Sequence, residues 1–480
     1  MEAAHPAPPW APRASSAVLA GGAAALGLAV WLTAAGSLAV WAVPAVVAVG
    51  LWLAVARPAP LVRLAAVLAL LTFQFRGEQG TTALEVVSGL ALVAYLAHWY
   101  ADVWLRRRRV VASMFDVAAL AWGAGGLVAG MALGQLFGAD AYDFRADVLA
   151  TIPFLLYLPA KDLCARHRHG ALVLAGALVA YGVIASVQSA LFLREVVTGA
   201  TAVWEIADAR FASSETSVTA GLLLSVAAFA TARGRTTRAV ALALAGALLG
   251  GLILSKSRGF WVAAVLGLAA LGVVGRSADR RRLVAAAVLG TTALVGLSLL
   301  LFSDQISLIV GGSLDRLATL ATAGQDISLL NRFAETDAAW DRILANPVLG
   351  YGWGVQFSYY GLLSHRTVTW SFLHNGYVSL WYKTGLWGLG LMMTVWAGGI
   401  VRGGRAGRSS LLAARDRACA LGAMATLVAF SLAAITSGPF SILDQMLVVT
   451  LTLALVHGLA DRARALSAPL GATPRRGAVR

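Results

Sequence analysis

The chain has 480 residues, 59% of them hydrophobic and only 13% charged, and its mean hydropathy is +0.76. That much apolar surface cannot be enclosed in one water-soluble core, so an ordinary soluble enzyme is excluded and a polytopic membrane protein is left. The net charge of +15 does not indicate a nucleic-acid partner, because the arginines sit in short clusters between apolar runs, where membrane topology puts them.

In chain order, residues 1–15 form a Pro/Ala-rich tail, expected to be cytoplasmic, with no soluble domain before it. The first apolar run is longer than a signal-peptide core and reads as a retained span. Runs of Leu, Ala, Val and Gly without alternating polarity predict helices, not barrel strands. Spans are predicted near 16–36, 38–56, 61–75, 83–104, 111–137, 146–160, 170–193, 215–232, 239–254, 260–275, 283–302, 375–400, 418–436 and 441–460. The expected fold is an all-α polytopic bundle of about 12 to 14 transmembrane helices with a large periplasmic loop containing an amphipathic helix.

With both termini inside, the cytoplasmic loops collect RRRR at 106–109, KDLCARHRH at 161–169, RGRTTR at 233–238, RSADRRR at 276–282, the segment 402–417 and the tail 461–480. In that arrangement 27 of the 38 Lys and Arg lie inside and 11 outside, which sets the orientation. Cys164 and Cys419 both fall on the inner side and offer neither a disulfide framework nor a metal site. Transmembrane helices 1–11 then occupy 16–302, the periplasmic loop 303–373 and the C-terminal spans 374–460.

Three outer segments carry the interest. Residues 194–214 are polar enough to lie over the membrane, and SKSRG at 255–259 is a tight turn that puts Lys256 and Arg258 on the side that disfavours cations. An anion is one reason for them, since a guanidinium fork matches phosphate oxygens; snorkelling to lipid phosphates is the other. The loop 303–373 is too long for a passive connection.

Within that loop the stretch from Arg332 to Ala345 predicts a helix, capped by Ser328 or Asn331 and stopped by Asn346-Pro347. One face carries Arg332, Glu335 and Arg342, the other Phe333, Trp340 and Leu344, the pattern of a helix lying on the outer leaflet. GYGWG at 350–354 follows, where Tyr351 and Trp353 suit either the interface or a sugar face, as does Trp340. Next come His374 and Asn375, at the start of a membrane helix. An imidazole there can donate to a phosphate oxygen or accept a hydroxyl proton, or can simply be an interfacial histidine beside Trp370 and Phe372.

In this order, SRGFW, NRFAETDAAWDRILANPVLGYGWG and HNGYVSLWYKTGLWGLGLMM resemble the O-antigen ligase and polymerase superfamily of bacterial membrane glycosyltransferases. The resemblance spans roughly residues 250–400. HNGYVSL departs slightly from the family's helix start, since the apolar residue is Val378 or Leu380 and not a leucine directly after Tyr377. The N-terminal spans carry no matching motif, and fourteen spans exceed the number common in the family.

The resemblance implies an active site of Arg258, Arg332 and His374 at the periplasmic face of the bacterial inner membrane. The donor it implies is an undecaprenyl-diphosphate-linked glycan, and the acceptor a saccharide hydroxyl of lipid A core or of a growing polysaccharide. Membrane lipids are the remaining partners. Arg258 and Arg332 are assigned to the diphosphate, and His374 to the acceptor hydroxyl or a diphosphate oxygen. Lys256 helps electrostatically, and Lys383 extends the positive path toward the diphosphate. Glu335 is either a base or an ion-pair partner of Arg332, and Asp337 and Asp341 are solvated. The chain shows no DxD-type acidic cluster, Walker A loop or H-E-x-x-H, so neither metal nor cofactor is expected. Direct displacement would invert the anomeric configuration.

Two readings from other classes stay open. Glu85, His98, Asp116, Asp147, Lys383 and Asp444 would be assets of a transporter or flippase, although no internal repeat supports one. A scaffold for an envelope complex would make the basic positions dispensable.

Overall fold

The computed structural model describes residues 59–72, 83–199, 214–276, 280–282 and 327–467. The predicted spans at 16–36, 38–56 and 283–302 lie outside the described residues. The chain divides into two compact units, Met1–Arg106 and Arg107–Arg480. In the first, α1 (Pro60–Leu70) packs against α2 (Ala83–Leu105).

The second unit is a helical bundle. Its helices are α3 (Met114–Leu136), α4 (Ala141–Arg166), α5 (Gly170–Gly199), α6 (Glu215–Thr231), α7 (Arg235–Leu254) and α8 (Arg258–Val274). After α9 (Ile327–Ala345) and a hairpin of β1 (Phe357–Gly361) and β2 (Arg366–Trp370) come α10 (Gly376–Arg408), α11 (Ala414–Ala433) and α12 (Leu443–Ser467). Among the described residues seven helices are long and apolar enough to cross a membrane. The protein is therefore a polytopic helical membrane protein.

Helix α12 is buried continuously from Gln445 to Leu459, as expected of a helix apolar on every side at a bundle centre. It packs against α4, α5, α10 and α11, while α6 packs against α5, α7 and α11. Short turns alternate the helix directions. All the connections 137–140, 255–257, 371–375 and 434–442 therefore lie at one end, and the arginine-rich connections at the other.

Several helices run past the ends that hydropathy predicts. Helix α4 continues to Arg166, α10 to Arg408 and α12 to Ser467, because the charges in these extensions find partners inside the bundle. Lys161 Nζ lies 2.6 Å from Asp116 Oδ2 and 2.7 Å from Asp461 Oδ2. Asp461 also binds Arg402, whose guanidinium reaches His457 Nδ1 at 3.1 Å. Two acids balance two bases, so the network is neutral and can be desolvated without stranding a charge. Cys164 and Cys419 are both buried and unbridged.

Between α9 and α10 the chain folds back into the bundle. Helix α10 is broken at Gly385 (φ 68°, ψ −178°), and the segment 347–352 replaces the missing turn. Tyr351 N donates to Tyr382 O at 2.8 Å, Gly352 N to Lys383 O at 2.9 Å, and Leu386 N to Pro347 O at 3.0 Å. The orphan groups of the break are thereby satisfied by a neighbouring loop, as non-helical backbone at membrane depth requires. The loop seats against Gly130 and Gly134 of α3, where a Cβ would lie 2.3 Å from the Trp353 ring and 2.3 Å from its carbonyl oxygen respectively.

The hairpin pairs Phe357 with Trp370 through Gly361 with Arg366, antiparallel. With α9 it closes a small core of Ala339, Ile343, Phe357, Tyr359, Leu373, Val378 and Tyr382.

Candidate functional site

Three stretches distant in sequence meet at the end of the bundle opposite the arginine clusters. These are the α7–α8 turn, the first two turns of α9, and the residues leading into α10. They surround a cleft of about 430 Å³ whose polar wall includes Glu215, Lys256, Arg258, Arg332, His374 and Gln445.

The α7–α8 turn is shorter than the SKSRG motif suggests, since α8 already begins at Arg258. Ser255 Oγ donates to Leu252 O at 2.7 Å, and the Trp261 indole donates to the same carbonyl at 2.7 Å. The turn thus satisfies the end of α7 with its own side chains. Lys256 adopts the left-handed conformation at φ 49°, a strain of about 1–3 kcal/mol for a residue with a Cβ, and its side chain is 1% exposed. A strained, buried lysine beside an arginine at the mouth of a cleft is a feature to expect of a functional site.

Helix α9 starts at Ile327, earlier than its predicted start, and ends at Ala345, where Asn346-Pro347 is expected to stop it. Asn331, Glu335, Ala339 and Ile343, four residues apart, form its buried face. Phe333, Trp340 and Leu344 point outward and are 54%, 39% and 63% exposed. The helix therefore turns Asn331 and Glu335 inward together with Ala339 and Ile343, and leaves Arg342 exposed. Asp337 and Asp341 are exposed.

Glu335 is completely buried and grips His374 twice. The His374 backbone N–H donates to Oε1 at 2.6 Å, and Nδ1 lies 2.8 Å from Oε2. Phe372 and Trp370 flank the imidazole, with ring centroids 5.0 and 6.1 Å away. Asn375 follows as the N-cap of α10, its Oδ1 accepting from Tyr377 N at 3.1 Å and Val378 N at 3.2 Å. A histidine and an asparagine thus open this helix for different reasons: one faces the cleft and the other satisfies the helix end.

The far wall is the α11–α12 connection, residues 434–442. Gly376 N donates to Ala434 O at 2.7 Å, and the hydroxyls of Ser379 and Ser441 lie 2.9 Å apart, so this wall is tied to the helix that carries His374.

Of the residues that the sequence singles out, the cleft brings together Lys256, Arg258, Arg332 and His374, with Glu335 behind His374. The others lie elsewhere. Lys383 is 2% exposed, and its Nζ lies 2.6 Å from Asp147 Oδ1. Tyr351 stacks on Tyr382 at 5.1 Å and donates to Arg342 O at 2.9 Å, and Trp353 is 3% exposed. Trp340 meets Trp381 edge-on at 5.2 Å. Asn375 is a cap.

Sequence alone does not point to Glu215, which opens α6, to Phe372 as a cleft residue, or to the wall from Thr436 to Gln445. Nor does it reveal the role of Asp143 and Asp147, four apart on α4. Asp143 accepts from the Gln356 amide at 2.9 Å and Ser371 N at 3.1 Å, and Asp147 from Gly354 N at 2.9 Å. Together they hold both ends of the hairpin segment. Among the described residues no three His, Cys, Asp or Glu side chains are grouped to hold a metal.

A cleft with three cations on its walls suits a polyanion, and a half-buried imidazole beside them suits proton transfer or hydrogen bonding to it. Fold and cleft together define a polytopic helical membrane protein with a cleft lined by cationic side chains at one end of its bundle. Residues 241–393 match the family model described as O-antigen ligase. The matched segment contains Lys256, Arg258, Arg332, Glu335 and His374, whereas Glu215 and the wall at 436–445 fall outside it. No curated protein matches the chain.

Proposed function

We propose that the protein is an O-antigen ligase-type glycosyltransferase of the bacterial inner membrane, acting in lipopolysaccharide biosynthesis at the periplasmic face. It moves a glycan from undecaprenyl diphosphate to a hydroxyl of lipid A core. The observation that carries this reading is the convergence of Lys256, Arg258, Arg332 and His374 from three separate segments on one cleft. The cleft lies at the bundle end opposite the arginine-rich connections, and the positive-inside bias makes that end the outer one.

In the proposed reaction the acceptor hydroxyl oxygen attacks the anomeric carbon as the bond from that carbon to the diphosphate oxygen breaks, and the bonding pair leaves with the diphosphate. The configuration inverts. Diphosphate becomes a good leaving group once its charge is neutralised, so the protein's work is placement and electrostatic stabilisation. Arg258 and Arg332 hold the diphosphate, Lys256 adds to the positive field, and His374 faces the acceptor hydroxyl. The charge is supplied by cationic side chains, and the transfer is metal-independent. A polymerase would use the same chemistry with a repeat unit as acceptor.

The test uses purified full-length protein in detergent with a lipid-diphosphate glycan and a panel of acceptors, wild type against Arg332→Ala and His374→Ala. A new glycosidic bond that both substitutions abolish in folded protein supports the transferase, and the acceptor used separates ligase from polymerase. If no bond forms with any acceptor, and the donor crosses liposome membranes in a protein-dependent way that tolerates both substitutions, the reading fails in favour of a flippase.

A further inference from the structure

We infer that Glu335 is a positioning residue that fixes the tautomer of His374, leaving Nε2 as the proton acceptor for the incoming hydroxyl. The inference rests on the transferase reading and decides what that reading leaves open, namely whether the imidazole serves as a base or as a donor to phosphate.

One buried carboxylate makes two contacts with His374. Glu335 Oε1 accepts from the backbone N–H of His374 at 2.6 Å, and Oε2 lies 2.8 Å from Nδ1. A carboxylate accepts and does not donate, so the ring proton belongs on Nδ1, and the lone pair of the neutral ring falls on Nε2. The ring cannot turn to exchange its nitrogens without abandoning a contact whose acceptor is 0% exposed and would be left unsatisfied. Phe372 edge-on at 5.0 Å and Trp370 at 6.1 Å restrict it further. Because the backbone contact fixes the carboxylate relative to the same residue, Glu335 and His374 move as one unit.

The charge surroundings suit that role. Lys256, Arg258, Arg332 and Glu215 line the cleft with His374, and Tyr359 of β1 lies within electrostatic reach of Glu335. As the C–O bond to the diphosphate breaks, the acceptor's proton passes to Nε2. The imidazolium so formed is stabilised by the carboxylate at Nδ1, and its proton then leaves to solvent.

The double contact makes one isosteric substitution unusually informative. In Glu335→Gln the amide has one oxygen and one NH2, yet both its neighbours are donors. The backbone N–H cannot change, so the oxygen goes to it and the NH2 faces Nδ1. The ring must then accept at Nδ1 and carry its proton on Nε2, the tautomer that cannot take a proton from the acceptor.

Full-length wild type, Glu335→Gln, Glu335→Asp and His374→Ala are compared in two measurements. In the transfer assay Glu335→Gln is expected to lower kcat by about 10³–10⁴-fold, the scale of a wrong-tautomer defect, with the KM for donor unchanged. It should also abolish the rise of rate with pH that marks a base, and Glu335→Asp should restore part of kcat. Wild-type kcat and pH profile in Glu335→Gln, or a loss confined to donor KM, would overturn the inference. Independently of turnover, ¹⁵N imidazole shifts of His374 should report the Nδ1–H form in the neutral ring of the wild type and the Nε2–H form in Glu335→Gln. A wild-type Nε2–H ring would refute the inference. Failure of the wild type to form any bond would instead sink the transferase reading, with the tautomer still read by NMR.

Discussion

Replacing Lys383 by methionine removes one partner of a buried ion pair and keeps the length of the side chain. The ammonium is 2% exposed, the Asp147 carboxylate 6%, and they are 2.6 Å apart. Asp147 would keep only the hydrogen bond from Gly354 N at 2.9 Å, too little to compensate a desolvated charge. Breaking such a pair costs about 3–5 kcal/mol, roughly two to four powers of ten in the folding equilibrium. The second change, Asp147→Asn in the same chain, removes the stranded charge while still accepting from Gly354 N. It should recover most of the loss, because a neutral replacement of a buried pair is often tolerated. Denaturation of the detergent-solubilised protein, followed for both single variants and the double, completes the cycle. The reasoning is refuted if Lys383→Met melts like wild type yet loses donor affinity, since Lys383 would then act on the diphosphate, as its sequence position suggests.

Three further outcomes follow from the same packing. Gly385→Ala should destabilise the protein by more than about 3 kcal/mol, since its φ is +68° and a Cβ would lie 2.0 Å from Val348 O; an unaltered melting temperature would contradict the account of the helix break. Asp461→Ala should cost about 3–5 kcal/mol by leaving Lys161 and Arg402 with Asp116 as their remaining acid, read as earlier melting, and Asp461→Asn should cost less. Arg332→Lys should raise the donor KM at least about tenfold by losing the guanidinium fork while keeping the charge; an unchanged KM would remove Arg332 from the diphosphate.

What could be seen in the sequence was whatever a single segment determines. Lipid solvation demands long apolar helices, so the runs near 170–193, 215–232 and 239–254 correspond to α5, α6 and α7 within a few residues. Asn346-Pro347 ends α9 because proline disfavours helix in the residue before it. Hydropathy failed where charges find distant partners. Lys161 and Asp162 look like loop residues but are helical and buried, and Arg402 and Asp461 are drawn inside by each other. The chemistry of the cleft was legible only as separate signs. A misplaced cation pair and a histidine at a helix start could be noticed one by one, but Glu215 has no such mark, and the Glu335–His374 contact joins residues 39 apart. GYGWG misleads for a related reason. Its aromatics resemble sugar platforms, whereas its three glycines, at φ 72°, 85° and 76°, serve to thread the backbone between α3 and the broken α10.

That threading links the stability of the fold to the site. The segment entering at Pro347 leaves α9 directly, and α9 carries both Arg332 and Glu335. The same segment is anchored on α10 above and below Gly385, and α10 begins immediately after His374. On α4, Asp143 holds Ser371, three residues before His374, and Asp147 holds Gly354 and Lys383. The relative position of Arg332 and His374 is therefore constrained by hydrogen bonds inside the bundle as well as by the Glu335–His374 contact and by the hairpin turn, where Leu362 N donates to Asn331 Oδ1 at 2.8 Å. Changes at the exposed positions 363–365 should be tolerated, whereas changes at Asp143, Asp147 or Gly385 should shift the two cleft residues relative to each other. A transfer reaction that depends mainly on placement is sensitive to such shifts.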